Sequence, residues 1–274
     1  MKVEVYVISL PEHHGRREKL RESFPEFYRD FRFVEAVMGP KLSASEYFDL
    51  ILGCYLDELY LMDPASVGCS LSHIRVWERF LSSDADAAIV FEDDVIGSDE
   101  GLRLVKSMLP RIWEVYGDNF VWYLGGMDGL VKDYIRLRSS KVGPGVFEVP
   151  YFSRRYVLRT SSYLVTRSSS EAMLARQKSR LSVADDWHII VPRETKFLFS
   201  EIFGHPIVVR PEESSIGDYR KKTSLYRGNK KRLVLIFRFL NLALEGLLCR
   251  ILSNLGFIFG LIKPGVRPKV DGLS

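Results

Sequence analysis

The sequence predicts an α/β fold in which buried strands end in acidic loops. Two apolar stretches support the prediction: Ala87 to Val95 (AAIVFEDDV) and Phe120 to Gly129 (FVWYLGGMDG). Each has the length of a buried strand and ends abruptly in charged or glycine-rich residues. A third stretch, Val3 to Leu10, is rich in β-branched residues and predicts the first strand. Because open α/β sheets bind ligands at the carboxyl ends of their strands, we expect the functional site at the acids that follow Phe91.

Length and composition fit one large globular domain with room for an appendage. The 274 residues are 46% hydrophobic and 27% charged, and the net charge of +4 is too small to indicate nucleic-acid binding. The three cysteines have no CxxC spacing, which argues against a disulfide framework or a zinc site and favours a reducing compartment. Glu4 interrupts the short apolar start of the chain, so we do not expect a signal peptide.

The cluster Glu92, Asp93 and Asp94 is the first candidate site. Three adjacent carboxylates repel one another, and they are tolerated most easily in water or around a hard cation such as Mg²⁺ or Mn²⁺. We expect Glu92 and Asp94 to be metal ligands, and His205 to complete the shell because imidazole also binds Mn²⁺. The alternative is a solvated loop after a strand.

Periodicity and capping patterns predict the remaining secondary structure. Leu71, Ile74 and Leu81 fall at helical spacing, so the stretch of small residues at 67–73 is expected to lead into an amphipathic helix. Ser43 and Glu46 form a capping-box pattern that opens another helix. The helix opened by this capping box is predicted at 43–52. Further helices are predicted at 16–23 and 169–177, and further strands at 31–37, 161–166 and 204–209.

Two short segments are candidates for anion binding. The guanidinium groups of Arg16 and Arg17 match phosphate oxygens in a bidentate manner, although a solvated first helical turn explains the pair equally well. Small residues before a helix let its amides approach an anion, which makes Ser72 and His73 candidates for contact with an anionic ligand. A histidine such as His73 is nonetheless more often a core or capping residue.

A second acidic segment, Asp185-Asp186-Trp187, predicts a general base. One carboxylate would take the proton of an acceptor hydroxyl, and the indole would pack against the C–H face of a sugar. The alternative is structural, because Asp185 would also suit the N-cap of a helix from Trp187 to Val191. The sequence leaves open which of the two aspartates is the base.

The chain after residue 217 differs in composition from the part before it. Residues 219–232 carry seven basic side chains and no acid, and residues 233–262 are apolar but interrupted by Arg238, Glu245 and Arg250. A basic cluster beside an interrupted apolar helix is typical of a segment lying in a membrane interface. A helical hairpin packed on the main domain or in a dimer is the alternative. We therefore divide the chain into a domain at 1–217, a membrane-associating helical appendage at 218–263 and a disordered tail at 264–274.

Taken together, the motifs resemble glycosyltransferase family 25. The resemblance covers roughly residues 3 to 217 and depends on the order and spacing of its motifs. These are VISL with an arginine pair (7–10, Arg16, Arg17), GCSLSH (68–73), EDDV (92–95), SYLVT (162–166), DDW (185–187), HPIVV (205–209) and SSI (214–216).

This resemblance implies a GT-A type fold and the transfer of a sugar, typically galactose from UDP-galactose, with inversion. It also implies Mn²⁺ or Mg²⁺ at the acid cluster, with Glu92 and Asp93 near the donor. Lipooligosaccharide, lipopolysaccharide or another surface glycan is the expected acceptor, and we expect a cytoplasmic protein peripheral on the inner face of the membrane. The alternatives are a metal-dependent nucleotide-sugar phosphohydrolase and a non-catalytic membrane-peripheral scaffold.

Overall fold

A computed structural model describes residues 1–58 and 61–207 of the chain, and the side chains of 56–58 are excluded from that description. Six α-helices and eight β-strands lie in this part. The helices are α1 His14–Ser23, α2 Ala44–Glu58, α3 Pro64–Leu81, α4 Asp99–Tyr116, α5 Arg167–Ser179 and α6 Trp187–Ile190. The strands are β1 Val3–Ser9, β2 Phe31–Glu35, β3 Ala87–Glu92, β4 Phe120–Gly125, β5 Arg138–Ser139, β6 Phe147–Glu148, β7 Ser162–Thr166 and β8 Lys196–Phe203.

All eight strands form one sheet in the order β2-β1-β3-β7-β4-β8-β6-β5. Strands β1, β2, β3, β4 and β8 run parallel, and β7 lies antiparallel between β3 and β4. The carboxyl ends of the five parallel strands and the start of β7 therefore meet at one edge of the sheet. The α/β class predicted from the sequence is confirmed, and its acidic loops converge at this edge.

Helices cover both faces of the sheet, which explains why its central strands are apolar along their whole length. The side chains of β3 from Ala87 to Phe91 are fully buried, as is the whole of β4. One face packs aromatic side chains such as Trp77, Tyr163 and Trp187. The other face packs Phe24, Phe91 and Phe203. This double-sided burial fixes the strand ends in place.

The amphipathic helix expected to begin in the second half of the stretch 67–73 is present, but its predicted start is wrong. Helix α3 already begins at Pro64, and Asp63 caps it by accepting a hydrogen bond from the Ser66 amide at 2.9 Å. An N-cap aspartate followed by proline is itself a helix-start signal. The small residues serve packing instead, because a Cβ on Gly68 would lie 2.4 Å from the Val37 carbonyl oxygen.

The strand predicted at 204–209 is also wrong within the residues described. Strand β8 ends at Phe203, and Gly204 forms only a single antiparallel bridge with Ile96. Pro206, which has no amide hydrogen, cannot continue a ladder. Helix α2 extends to Glu58, beyond its predicted end near residue 52. Residues from 208 onward, including the predicted membrane-associating appendage, lie outside the described part.

Among the described helices, none is both long and apolar enough to cross a membrane.

Candidate functional site

Six segments of the chain bring polar side chains to the edge where the parallel strands end. Glu92 ends β3, and Asp93 and Asp94 follow it directly. The start of α1 supplies its N-cap residue His13 and Arg16 of its first turn, and the segment after β8 supplies His205. The remaining contributions are Asp128 from the loop after β4, Arg159 to Ser161 from the start of β7, and His73 from α3.

Asp93 is fixed by two basic side chains and is nearly inaccessible. One carboxylate oxygen lies 2.8 Å from Nδ1 of His13, and the other accepts a hydrogen bond from Nη1 of Arg16 at 2.7 Å. Its side chain is 5% exposed. With both oxygens engaged, Asp93 anchors the start of α1 to the end of β3.

Asp94 is engaged on one side only. Its Oδ2 accepts a hydrogen bond from Nη1 of Arg16 at 3.1 Å. Its Oδ1 is buried and accepts no hydrogen bond within the described residues. Burial raises the pKa of the Asp94 carboxyl, and repulsion from Glu92 raises it further. A buried carboxylate oxygen without a partner is costly, so a proton or a cation is needed beside it.

His205 supplies the nearest candidate partner for that oxygen. Its Nε2 lies 3.5 Å from Asp94 Oδ1, while its Nδ1 lies 2.8 Å from the Pro206 carbonyl oxygen. Because a carbonyl only accepts hydrogen bonds, Nδ1 carries the proton of the neutral ring and Nε2 presents a lone pair. The His205 amide donates to Asp128 Oδ2 at 2.8 Å, which fixes the segment. When the ring is neutral and the carboxyl is ionised, two lone pairs face one another, and either a divalent cation or a proton between the two atoms fits that arrangement.

Glu92 lies in a separate hydrogen-bonded group. It accepts a hydrogen bond from the hydroxyl of Thr160, and its Oε1 lies 3.6 Å from Nε2 of His73. Burial alone would raise the pKa of Glu92, but the contacts with His73 and Thr160 outweigh it and lower the pKa. Glu92 is therefore held as an anion.

A relay of buried aromatic side chains orients His73 toward Glu92. Nδ1 of His73 lies 2.8 Å from the Tyr163 hydroxyl, which accepts a hydrogen bond from Trp77 Nε1 at 3.0 Å. Burial raises the pKa of Tyr163 well above its usual value, so the phenol keeps its proton and donates a hydrogen bond to Nδ1 of His73. The proton of His73 then lies on Nε2, facing Glu92.

This proton assignment bears on a second possible cation site. Ligand atoms of Cys69, His73 and Glu92 lie within 4.8 Å of one another, the one such trio found among residues 1–58 and 61–207. An imidazole nitrogen must be unprotonated to bind a metal. Because the relay places the proton on Nε2 of His73, that nitrogen is not available to a metal ion while the ring is neutral. Nε2 makes no hydrogen bond among the described residues, since Glu92 Oε1 lies 3.6 Å away.

Arg17 and Ser72, two of the residues predicted to contact the anionic ligand, form hydrogen bonds with other residues of the chain. Arg17 donates to the Ser9 hydroxyl at 3.0 Å and to the Leu10 carbonyl at 3.1 Å, so it attaches α1 to the end of β1. Ser72 is buried, donates to the Gly68 carbonyl at 2.7 Å and accepts from the Val37 amide at 2.8 Å. Neither side chain contacts the acids in these bonds. Arg16 does contact them, as described above.

The DDW segment begins a short helix but neither aspartate caps it through a side-chain hydrogen bond. Asp185 Oδ2 accepts a hydrogen bond from the Arg159 amide at 2.9 Å. Asp186 stands at the N-cap of α6 without a side-chain capping bond, and its Oδ1 lies 2.6 Å from Nδ1 of His188. Trp187 is buried and donates to the Arg159 carbonyl at 3.2 Å. The predicted sugar-facing indole therefore lies in the core.

Sequence reasoning missed several members of the site. No local pattern marks His13 as a site residue, yet it contacts Asp93, which lies 80 residues away. Thr160 and Tyr163 lie just before and within the SYLVT strand, and only the pairing of β7 with β3 brings them to Glu92 and His73. Asp128 carried a usable signal, because it follows a glycine pair at the end of a buried strand.

Comparison with known proteins gives a family match over most of the described part. The family model for glycosyltransferase family 25 (LPS biosynthesis protein) matches residues 2–188. A probable inactive glycosyltransferase 25 family member 3 from Bos taurus is 29% identical over 188 residues, 65% of this chain and 29% of that protein. Procollagen galactosyltransferase 1-A from Xenopus laevis is 30% identical over 127 residues, 44% of this chain and 21% of that protein.

The chain spans only about a fifth to three tenths of the length of these curated relatives. Among solved structures, mannose-1-phosphate geranyltransferase from Thermus thermophilus is similar with a TM-score of 0.40 and 15% identity. That likeness covers 74% of this chain and 76% of that one. At this TM-score it does not bear on the reaction.

Proposed function

Because the chain belongs to glycosyltransferase family 25, we propose that it transfers galactose from UDP-galactose, with inversion, onto a lipooligosaccharide, lipopolysaccharide or other surface glycan. The family match supports sugar transfer in general. The galactose donor is supported by a relative whose name is procollagen galactosyltransferase, and a GT-A type arrangement is consistent with the mixed sheet and its acidic edge.

One observation supports metal assistance most directly. Asp94 Oδ1 is buried without a hydrogen-bond partner in the described chain, and the lone pair of His205 Nε2 faces it from 3.5 Å. We propose that Asp94 and His205 hold Mn²⁺ or Mg²⁺. Glu92, the other ligand predicted from the sequence, lies with His73 and Thr160 and is not grouped with this pair in the structure. A divalent cation there would act as a Lewis acid and neutralise charge on the departing UDP.

Arg16 has two roles in this proposal. Its Nη1 binds both Asp93 and Asp94, which offsets part of the repulsion within the acid cluster. Its side chain is 32% exposed, so the other guanidinium nitrogens are accessible to a phosphate oxygen of the donor. Arg17 and Ser72, which are bonded within the fold, are weaker candidates for donor contact.

For the general base, the contacts favour Asp186 over Asp185. Asp185 already accepts a hydrogen bond from the Arg159 backbone, whereas Asp186 lies beside His188 with its side chain 28% exposed. We propose that Asp186 takes the proton of the acceptor hydroxyl. His188 would help to orient that carboxylate.

Membrane association and location remain part of the same proposal. The basic and apolar residues after 217 support a protein that is peripheral on the cytoplasmic face of the membrane. A lipid-linked glycan presented at that surface would meet the catalytic domain there.

The test is sugar transfer from UDP-galactose with Mn²⁺ to a lipooligosaccharide lacking its terminal sugar. We expect product only when the acceptor is present, and loss of product on adding EDTA. Release of UDP or galactose 1-phosphate at the same rate without an acceptor would indicate a phosphohydrolase instead. Absence of both activities and of UDP binding would indicate a non-catalytic protein, as the names of some relatives suggest for those relatives.

A further inference from the structure

Arg159 has a backbone conformation that side chains disfavour. Its φ is 69°, and within residues 1–58 and 61–207 it is the one residue other than glycine with positive φ. A Cβ in this left-handed region is crowded by the neighbouring carbonyl oxygen, so the conformation costs free energy. Such residues persist only where surrounding contacts hold them, and they cluster at functional sites.

Contacts from two directions hold Arg159. The carboxylate of Asp185 accepts a hydrogen bond from its amide at 2.9 Å, and the indole of Trp187 donates to its carbonyl at 3.2 Å. Its own Nη1 donates to the carbonyls of Gly126 and Asp128 at 2.7 and 3.0 Å. The DDW segment and the loop after β4 are thus both attached to this one residue.

The two residues after Arg159 contact Glu92. The Thr160 hydroxyl donates to the Glu92 carboxylate, and the Ser161 carbonyl accepts a hydrogen bond from the Glu92 amide at 3.0 Å. The packing here is tight, because a Cβ on Gly126 would lie 1.8 Å from the Ser161 hydroxyl oxygen. A change in the turn at Arg159 would therefore move the groups that orient Glu92.

We propose that Asp185 is a positioning residue, not the general base, and that its carboxylate holds the strained turn at Arg159 so that Thr160 and Ser161 orient Glu92. The importance of Glu92 for activity rests on the proposed function. The hydrogen bonds that Asp185 and Trp187 make with the backbone of Arg159, here called the clamp, do not depend on the proposed function. Trp187, buried among the rings of Tyr123, Tyr163 and Phe197, gives the clamp a rigid base.

The first test compares Asp185→Asn with Asp186→Asn in UDP-galactose transfer with Mn²⁺. The amide oxygen of asparagine still accepts the Arg159 hydrogen bond, so Asp185→Asn should retain kcat within about tenfold and keep the acid limb of the pH profile. Asp186→Asn should lower kcat by about 10² to 10⁴, as expected for loss of a base. Asp185→Ala removes the bond and should lose far more activity than Asp185→Asn.

The second test is a double-mutant cycle of Asp185→Ala with Arg159→Gly and with Arg159→Ala, measured by kcat and by urea unfolding. Glycine adopts a φ of 69° without a Cβ clash, whereas alanine keeps the Cβ, and both changes of Arg159 remove the Nη1 bonds to Gly126 and Asp128. The loss caused by Asp185→Ala should therefore be clearly smaller in the Arg159→Gly background than in the Arg159→Ala background. Equal losses in both backgrounds would overturn the proposal.

Two further outcomes would separate the proposals. If Asp185→Asn loses about 10²-fold or more together with the acid limb of its pH profile, Asp185 is the base and the positioning role is wrong. If the wild-type protein transfers no sugar, the proposed function has failed. In that case the same double-mutant cycle, measured by urea unfolding alone, still tests whether Asp185 holds the turn.

Discussion

Oδ1 of Asp94 lies 3.5 Å from Nε2 of His205, and an isolated β-bridge between Ile96 and Gly204 connects their two segments. The bridge places the end of β8 beside the loop that follows β3. Neither facing atom carries a proton when the ring is neutral and the carboxyl is ionised. This pair is therefore the basis of the cation site that we propose. The contribution of His205 to that site can be tested by substituting His205 alone.

His205→Ala should weaken Mn²⁺-dependent UDP binding by at least about tenfold, the scale seen when groups around a metal site are removed. Binding without Mn²⁺ should change little. Isothermal titration with and without Mn²⁺ measures both. His14→Ala is the matched control, because His14 is exposed at the start of α1 and should leave both affinities unchanged. Identical Mn²⁺ dependence in His205→Ala and wild type would remove His205 from the site.

Arg16→Ala should raise the KM for UDP-galactose at least about tenfold, because it removes the charge-assisted bonds to Asp93 and Asp94 and a candidate phosphate contact. Arg17→Ala should instead lower stability by about 1–2 kcal/mol with a smaller effect on KM, since Arg17 binds Ser9 and Leu10. Arg21→Ala, which removes an exposed pair with Glu18, is the control. The reverse pattern for Arg16 and Arg17 would contradict our assignment.

Tyr163→Phe should disrupt the relay that orients His73. Removal of the hydroxyl leaves His73 Nδ1 and Trp77 Nε1 without their shared partner in the buried core. We expect a loss of about 1–3 kcal/mol in the free energy of unfolding, measured in urea, together with a lower kcat. Tyr55→Phe on the exposed side of α2 should have neither effect. A Tyr163→Phe protein of unchanged stability and kcat would mean that the relay is unimportant.

Tyr6 makes the free energy of unfolding depend on pH in the alkaline range. Burial, and then its hydrogen bond to Glu4 at 2.6 Å, raises the pKa of Tyr6 to about 12 from its usual 10. A raised pKa means that the folded state favours the protonated phenol, so this stabilisation is complete below pH 10 and is lost as the pH rises toward 12. Tyr6→Phe should cost about 1–2 kcal/mol at pH 8, and the difference from wild type should shrink above pH 10. A constant difference across this range would contradict the shift.

Local patterns were sufficient to predict where the candidate site lies. The apolar run that ends at Phe91 and the acids after it are contiguous, so the strand and its charged end follow from the sequence directly. The small residues beside Ser72 and the affinity of imidazole for Mn²⁺ also make His73 and His205 candidates. Both lie beside the acids, at 3.6 Å from Glu92 and 3.5 Å from Asp94.

The different roles of adjacent acids could not be predicted in the same way. Asp93 and Asp94 are neighbours in sequence, yet His13 engages only Asp93, across 80 positions. The neighbours of Asp185 in the sequence predict a base or a helix cap, whereas its carboxylate accepts a hydrogen bond from the amide of Arg159, 26 residues earlier. These roles depend on tertiary pairings that no short window contains.

The most direct measurement is calorimetric binding of UDP-galactose to the wild type and to Asp94→Asn, each with Mn²⁺ and with EDTA. We predict that the wild type binds at least about tenfold more tightly with Mn²⁺, and that Asp94→Asn binds equally weakly in both conditions. Glu114→Gln, an exposed change on α4, should behave as the wild type. Retention of full Mn²⁺-dependent binding by Asp94→Asn, or no nucleotide binding by the wild type, would contradict the account.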